Sequence, residues 1–148
     1  MSISIYGLRL LAKHEGLSLK AYKCPAGVFT IGFGNTFYED GTKVKEGDII
    51  TKQRAEELLR IIANDFATKV DALVKPKLTM QQFDALVSFA YNVGTANFAK
   101  STLLKKVNAN PNDARIRAEF EKWNKANGRV LKGLVTRRKE EADLYFTK

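Results

Sequence analysis

The sequence predicts an α+β protein in which a short helix leads into a small antiparallel sheet, followed by one long helix and a mostly helical second half. Three observations support this fold class. β-forming residues and turn signals alternate between residues 17 and 47, apolar residues recur at steps of three and four from residue 51, and helical periodicity continues to the C-terminus. At 148 residues the chain has the length of one typical domain. We therefore predict a single domain spanning residues 1–148.

The first helix is indicated by apolar residues that fall on one helical face: Ile5, Leu8, Leu11 and Ala12. It should end at Glu15, because Gly16 can adopt the left-handed conformation that closes a helix. A β-containing lobe is expected over residues 15–50, with turns at residues 24–27 and 39–42.

A long helix is predicted over residues 51–74, ending before Pro76. At about 30 Å it is long enough to connect two lobes, although a plain core helix fits the pattern equally well. If it connects them, a ligand-binding cleft between the β-containing lobe and the helical lobe is expected. The helical lobe comprises residues 75–148 and the N-terminal helix.

Within the second half, Thr79 and Gln82 form a predicted capping box at a helix start, and Gly94 ends that helix. A short helix is expected over residues 101–107 and another stretch over residues 111–123. Gly128 and Gly133 should frame a loop before a last helix over residues 134–146.

The chain is strongly basic, with 25 Lys and Arg residues against 16 Asp and Glu residues and a formal charge of +9. Such a surface attracts polyanions, so nucleic acid, an anionic membrane and the bacterial wall are all candidate partners. Because Cys24 is the single cysteine and His14 the single histidine, we expect no disulfide and no structural metal site. The sequence predicts neither a signal peptide nor a membrane-spanning helix.

Three residues before the predicted long helix carry side chains that can take part in catalysis: Glu15, Cys24 and Thr30. Glu15 at a helix end would face the strand that carries the segment from Thr30 to Gly34. Gly32 and Gly34 stand two residues apart, which predicts a bare strand face that a polysaccharide can approach closely.

This ordered set resembles the signature of the phage-type lysozymes, glycoside hydrolase family 24, whose members are endolysins. The resemblance extends over nearly the whole chain. It is carried by Glu15-Gly16, Tyr22-Lys23-Cys24, Thr30-Ile31-Gly32-Phe33-Gly34, Leu78 to Gln82, Ala85 to Phe89, Asn92 to Gly94, Phe98, Ser101 to Leu104, Phe120, Trp123, Gly133 to Val135 and Arg137-Arg138.

The resemblance implies a lysozyme-like fold and hydrolysis of the β-1,4 bond between N-acetylmuramic acid and N-acetylglucosamine in peptidoglycan, without metal or cofactor. Glu15 matches the catalytic acid, Cys24 the position usually held by aspartate, and Thr30 the threonine that helps to place a water molecule. That arrangement implies inversion at the anomeric carbon. A Cys24 thiolate, which Lys20 and Lys23 would favour, also permits a covalent route with retention.

Five further residues match positions that line the sugar groove in the family: Gly32, Tyr91, Asn92, Ser101 and Asn127. Tyr91 can equally be a core aromatic residue. Phe98, Phe120 and Trp123 are expected to pack within the helical lobe, and the pair Arg137-Arg138 is expected to brace the structure or contact the wall.

By resemblance, the expected partner is bacterial peptidoglycan, and action depends on a holin. The protein is expected to be a monomer that binds no nucleic acid and does not insert stably into a membrane. It would be made in the host bacterial cytoplasm and act on the periplasmic or external wall after membrane permeabilisation. A peptidoglycan-binding module with weak or lost catalysis is the main alternative. A basic nucleic-acid binder and a hydrolase using Cys24 with His14 are less well supported by the sequence.

Overall fold

The computed structural model describes all 148 residues and contains seven helices and two small antiparallel sheets of two strands each. This mixture confirms the predicted α+β class. The chain divides into two compact units, one of residues Leu8–Asp65 and the other of residues Met1–Gly7 with Phe66–Lys148. The predicted domain and lobe boundaries therefore stay predictions, and each unit is described by itself.

The helix α1 spans Ile5–Glu15, as the sequence predicted. It ends because Gly16 adopts a left-handed conformation with φ of +70°, and its N–H still donates to the Ala12 carbonyl at 3.2 Å. This termination fixes Glu15 as the last helical residue and places its side chain at the C-terminal end of α1.

The sheet of the unit Leu8–Asp65 consists of β1 (Ser18–Lys23) and β2 (Phe29–Gly32), paired antiparallel with Tyr22 opposite Thr30. The connection between them is a tight loop. The Cys24 N–H donates to the Val28 carbonyl at 2.9 Å, and the Gly27 N–H donates to the Cys24 carbonyl at 2.8 Å. These bonds fix Cys24 at the end of β1, beside the start of β2.

The long helix α2 spans Lys52–Leu73, which agrees closely with the predicted range. Its apolar positions recur at steps of three and four, and those at Ala55, Leu58, Leu59 and Ala63 are buried. The helix ends three residues before Pro76, which is consistent with the proline limiting its extension.

The second unit is mostly helical. Its elements are α3 (Met80–Val93), α4 (Thr95–Lys100), α5 (Thr102–Ala109), α6 (Ile116–Glu121), β3 (Lys125–Ala126), β4 (Arg129–Val130) and α7 (Lys132–Tyr145). The predicted capping box is confirmed at the start of α3. The Gln82 N–H donates to Thr79 Oγ1 at 3.1 Å, and the Thr79 N–H donates to Gln82 Oε1 at 3.0 Å. No helix in the chain combines the length and the apolar composition needed to cross a membrane.

Three elements of this unit were not predicted, namely α4, β3 and β4. The helix α4 has only six residues, too few to show a helical repeat, and Gly94 both closes α3 and precedes α4. The expected loop between Gly128 and Gly133 is wrong in part, because β3 and β4 form a hairpin around an Asn127-Gly128 turn. The stretch expected over residues 111–123 is helical only in α6.

The core of the second unit is built around Phe89, whose ring makes edge contacts with three aromatic rings. The centroid distances are 6.1 Å to Phe98, 5.6 Å to Phe120 and 5.6 Å to Trp123. These contacts confirm the predicted packing role of the three residues. α7 packs on α3 and α6 and contributes the buried side chains of Arg137 and Arg138.

Candidate active site

Glu15 lies half-buried at the C-terminal end of α1, against the turn that follows β2. Its Oε2 atom lies 3.5 Å from the position that a Cβ atom would occupy on Gly34. The carboxyl group therefore rests beside a stretch of backbone that carries no side chain. The structure thus brings together Glu15 and the glycine-bearing segment that the sequence singled out.

The turn that carries Gly34 is closed by two backbone hydrogen bonds between Ile31 and Asn35, each 2.9 Å long. Gly34 has a φ of +84°, in the region that residues with a side chain rarely adopt. The buried Asn35 supports the turn through its Oδ1 atom, which accepts from the Phe33 N–H at 3.2 Å. Glycine at position 34 is therefore favoured by the backbone conformation, and a Cβ atom there would lie in van der Waals contact with the Glu15 carboxyl.

Cys24 lies partly exposed in the loop between β1 and β2. Backbone hydrogen bonds from Val28 and Ala26 lower the pKa of its thiol below the ordinary value, and a hydrogen bond from the Thr30 side chain acts in the same direction. A lowered pKa enlarges the thiolate fraction near neutral pH, which is the form that accepts a proton or attacks carbon.

The expectation that Lys20 and Lys23 favour the thiolate was wrong. Neither lysine is among the causes of the lowered pKa. The Lys23 ammonium instead lies 5.6 Å from the centroid of the Phe29 ring. Closeness in sequence therefore does not make the two lysines lower the thiol pKa. The backbone N–H groups of the loop stabilise the thiolate instead.

Thr30 is buried on β2, and its hydroxyl has one structural partner. Its Oγ1 atom donates to the Val28 carbonyl at 3.2 Å, and its side chain also helps to lower the pKa of the Cys24 thiol. Thr30 therefore shares the Val28 carbonyl with the Cys24 N–H, which joins β2 to the loop that holds Cys24.

No pattern in the sequence indicates that Val28 belongs to the site. Its side chain is exposed and carries no chemistry, but its backbone bonds to both Cys24 and Thr30. A backbone role of this kind has no signature in residue type. No three His, Cys, Asp or Glu side chains lie close enough together to hold a metal ion.

Gly32 does not lie on the bare strand face that the sequence predicted. It ends β2 with a φ of +66° and is buried, and a Cβ atom there would lie 3.0 Å from Asn35 Oδ1 and 3.7 Å from Ala55 Cβ. The predicted bare strand face is therefore wrong, because Gly32 faces packed side chains and Gly34 lies beyond the strand. A backbone contact between Gly32 and substrate stays a prediction.

The remaining predicted groove residues lie in the second unit. Tyr91 is half-buried on α3, and its ring centroid lies 5.1 Å from that of Phe66. It therefore packs against another aromatic ring, as the alternative of a core aromatic residue predicted. Asn92 is exposed, and its Oδ1 atom accepts a hydrogen bond from the Arg138 guanidinium. Both side chains thus have structural partners, and their contact with sugar stays a prediction.

Ser101 and Asn127 occupy positions set by local backbone geometry. The buried Ser101 hydroxyl caps α5, accepting from the Leu104 N–H at 3.1 Å and donating to the Phe98 carbonyl at 2.7 Å. These bonds give Ser101 a structural role and provide no support for sugar binding. Asn127 is exposed at the tip of the β3–β4 hairpin with a φ of +52°, a conformation that asparagine tolerates.

Comparison with known proteins gives one consistent result. The family model described as phage lysozyme matches residues 12–141. An endolysin of Bacillus phage B103 is 44% identical over 149 aligned residues, which cover 99% of this chain and 55% of the endolysin. The chain therefore spans about half the length of that relative.

Solved structures agree with the sequence match. An endolysin from Escherichia coli O157:H7 phage FAHEc1 superposes with a TM-score of 0.91 at 37% identity, covering 99% of this chain and 94% of that one. The muramidase domain of SpmX from Asticaccaulis excentricus superposes with a TM-score of 0.87 at 34% identity, covering 99% of both chains. The fold is therefore lysozyme-like, as the sequence resemblance implied.

Proposed function

The chain belongs to the phage lysozyme family, and from this premise we propose that it is an endolysin that hydrolyses the β-1,4 bond between N-acetylmuramic acid and N-acetylglucosamine in bacterial peptidoglycan. The similarity to proteins named endolysin and muramidase supports this activity. The substrate is thus the glycan strand of the wall.

One observation carries the proposal. The Glu15 carboxyl lies beside Gly34, at the end of the segment that begins with Thr30, and the Thr30 hydroxyl donates to the Val28 carbonyl, which also accepts from the Cys24 N–H. A carboxylic acid and a second group able to activate water or attack carbon are the two parts that glycoside hydrolysis requires. Both parts belong to the unit Leu8–Asp65.

In the first step Glu15, in its acid form, donates its proton to the glycosidic oxygen as the bond to the anomeric carbon breaks. The sugar then develops the positive charge of an oxocarbenium ion. The bare backbone at Gly34 leaves room beside the Glu15 carboxyl, where a side chain would otherwise contact Oε2. Room at this point allows the oxygen of a bulky glycan to reach the acid.

In the second step Cys24 and Thr30 act on the developing cation. A water molecule held by Thr30 gives its proton to the Cys24 thiolate and attacks the anomeric carbon, which inverts its configuration. Direct attack by the thiolate, followed by hydrolysis, would retain the configuration instead. The lowered thiol pKa, together with the shared Val28 carbonyl that joins Thr30 to the Cys24 loop, supports a role for the thiolate in either route.

Tyr91, Asn92 and Asn127 remain proposed substrate-binding residues of the second unit, because each is at least partly exposed. The endolysin relatives also suggest where the protein acts. We propose that it is made in the host cytoplasm and reaches the wall after a separate pore-forming holin has permeabilised the membrane.

Product analysis tests the proposed activity. Purified peptidoglycan is digested, and the released muropeptides are weighed by mass spectrometry while the new reducing end is followed by NMR. We expect reducing ends at N-acetylmuramic acid, with the first anomer formed reporting inversion or retention. Cleavage at an amide bond, or products with reducing N-acetylglucosamine, would exclude the proposal.

A further inference from the structure

The positive charge of the chain is unevenly divided between the two units. The unit Leu8–Asp65, which holds Glu15, Cys24 and Thr30, contains nine Lys and Arg residues and eight Asp and Glu residues. The unit of residues Met1–Gly7 and Phe66–Lys148 contains sixteen basic and eight acidic residues. Nearly all of the excess charge therefore lies outside the unit that carries the proposed chemistry.

Within the second unit the charge is concentrated in one segment. From Lys122 to Lys139 the sequence has seven basic residues and no acidic residue. Arg137 and Arg138 are buried with Glu141, and Lys122 pairs with Glu119. Four exposed cations of the segment form no ion pair: Lys125, Arg129, Lys132 and Lys139.

Three of these cations belong to the β3–β4 hairpin and the residues directly after it. The hairpin turns at Asn127-Gly128 and pairs Lys125 with Val130 and Ala126 with Arg129. The Leu131 N–H extends the ladder by donating to the Asn124 carbonyl at 3.0 Å. Every residue from 125 to 133 is exposed. We call residues 125–132 the basic hairpin.

The basic hairpin also exposes aliphatic side chains. Val130 is 57% exposed and Leu131 is 43% exposed, and Val135, one turn into α7, is 43% exposed. Cations that lack acidic partners and lie beside exposed aliphatic groups are typical of surfaces that bind the headgroup region of an anionic bilayer. The cations attract lipid phosphates, and the aliphatic groups gain by leaving water.

Other polyanions fit this surface less well. Proteins that bind single-stranded nucleic acid stack bases on exposed aromatic rings, and the basic hairpin contains none. The nearby Trp123 is half-buried, with its ring 5.6 Å from that of Phe89. A hydrophilic wall polymer would offer no apolar environment to Val130 and Leu131.

We propose that the basic hairpin is a peripheral contact site for anionic phospholipid, which holds the protein against a membrane surface without inserting a helix. The proposal goes beyond the wall-cutting activity and does not depend on it, because it concerns the cations and aliphatic side chains of the hairpin and not Asn127, the hairpin residue proposed to contact sugar. It assigns a function to the charge excess of the second unit, while the chemistry belongs to the unit Leu8–Asp65.

Vesicle sedimentation tests the proposal. The full chain is mixed with vesicles of phosphatidylcholine alone or of equal parts phosphatidylcholine and phosphatidylglycerol, and the bound fraction is measured against lipid concentration. We expect binding only to the anionic vesicles. The triple variant K125Q/R129Q/K132Q should bind them at least about tenfold more weakly.

The matched control is K75Q/K100Q/K105Q, which removes the same charge from three exposed lysines of the same unit that also form no ion pair. It should keep most of the affinity. Equal losses in the two triple variants would show that net charge alone drives binding, and would overturn the proposal. Full binding by the hairpin variant would also overturn it.

A second variant, V130S/L131S, keeps the charge constant and should weaken vesicle binding severalfold. Unchanged binding by this variant would contradict a lipid contact and point to simple polyanion attraction. Circular dichroism melting curves verify that each variant is folded.

Sedimentation with purified peptidoglycan is run in parallel and distinguishes a lipid from a wall polymer. If the variant K125Q/R129Q/K132Q loses wall binding and keeps vesicle binding, the proposal is overturned in favour of a wall polymer.

Discussion

The Glu15 carboxyl rests against Gly34, with Oε2 3.5 Å from the position where a side chain on Gly34 would begin. This relationship joins the end of the first helix to the turn after β2 and leaves open space beside the proposed proton donor. The need for glycine at the last position of the segment from Thr30 to Gly34 comes from the positive φ of Gly34.

A Gly34→Ala substitution is expected to reduce wall-lysing activity roughly tenfold or more, because the new methyl group occupies the space beside the acid where substrate must fit. The strain of a φ of +84° should also cost about 1–2 kcal/mol of stability. The measurement is the rate at which a wall suspension clears, together with the thermal midpoint.

Gly41 provides the matched control. Its φ is +86°, and a Cβ atom there would meet nothing within 4 Å. Gly41→Ala should therefore lose similar stability and keep its activity. If the two variants lose activity equally at a temperature where both are folded, the space beside Glu15 has no catalytic importance.

The thiol of Cys24 should ionise more readily than that of free cysteine. Its pKa is lowered by backbone hydrogen bonds from Val28 and Ala26 and by the Thr30 hydroxyl. A lowered pKa means that the thiolate persists to lower pH, so the rate of alkylation by iodoacetamide should rise with a midpoint below that of free cysteine. Thr30→Val should move this midpoint upward. A midpoint at or above that of free cysteine would refute the hydrogen-bonded thiolate.

Cys24→Ser tests whether the thiolate takes part in the reaction. A serine hydroxyl does not ionise near neutral pH, so activity should fall by about a hundredfold, while Cys24→Asp restores a group that is ionised there. Clearing rates on purified wall give the comparison. Undiminished activity of the serine variant would remove Cys24 from the mechanism.

The buried Glu141 should be essential for the stability of the second unit. It is fully buried and accepts hydrogen bonds from Ser88 Oγ at 2.5 Å, Arg138 Nη1 at 2.5 Å and Arg137 Nε at 3.2 Å. Glu141→Gln removes the carboxylate charge that pairs with two buried guanidinium groups and should cost about 3–5 kcal/mol.

The matched control is Glu121→Gln, at an exposed glutamate of the same unit that forms no ion pair, and it should cost less than about 1 kcal/mol. Urea denaturation of both variants measures the difference. A cost for Glu141→Gln no larger than that of the control would show that the buried ion pairs contribute no net stability.

Much of the fold was predictable because its signals are local. Gly16 ends α1 by adopting a left-handed conformation, and the reciprocal bonds of Thr79 and Gln82 start α3, as their residue types indicate. The Asn127-Gly128 turn is an equally local signal and is typical of hairpins, whereas the glycines at positions 128 and 133 alone predict a loop. The strands beside it have two residues each, too few to show alternation.

The sequence indicated which residues form the candidate site, but it did not indicate which groups lower the pKa of Cys24. The order of Glu15, Cys24 and Thr30 pointed to one region, and the structure places all three in the same unit. The partners of Cys24 are backbone groups of a loop, which residue types do not reveal. For the same reason Gly32 was misassigned, since its contacts with Asn35 and Ala55 come from residues that meet it only in three dimensions.

The central claim is that Glu15 is the proton donor, and its most direct test is the clearing rate of purified peptidoglycan by Glu15→Gln. The matched control is Glu46→Gln, at an exposed glutamate of the same unit. The account predicts a loss of about a hundredfold to ten-thousandfold for Glu15→Gln and full activity for the control. A Glu15→Gln variant that clears the wall as fast as the unaltered protein would contradict it.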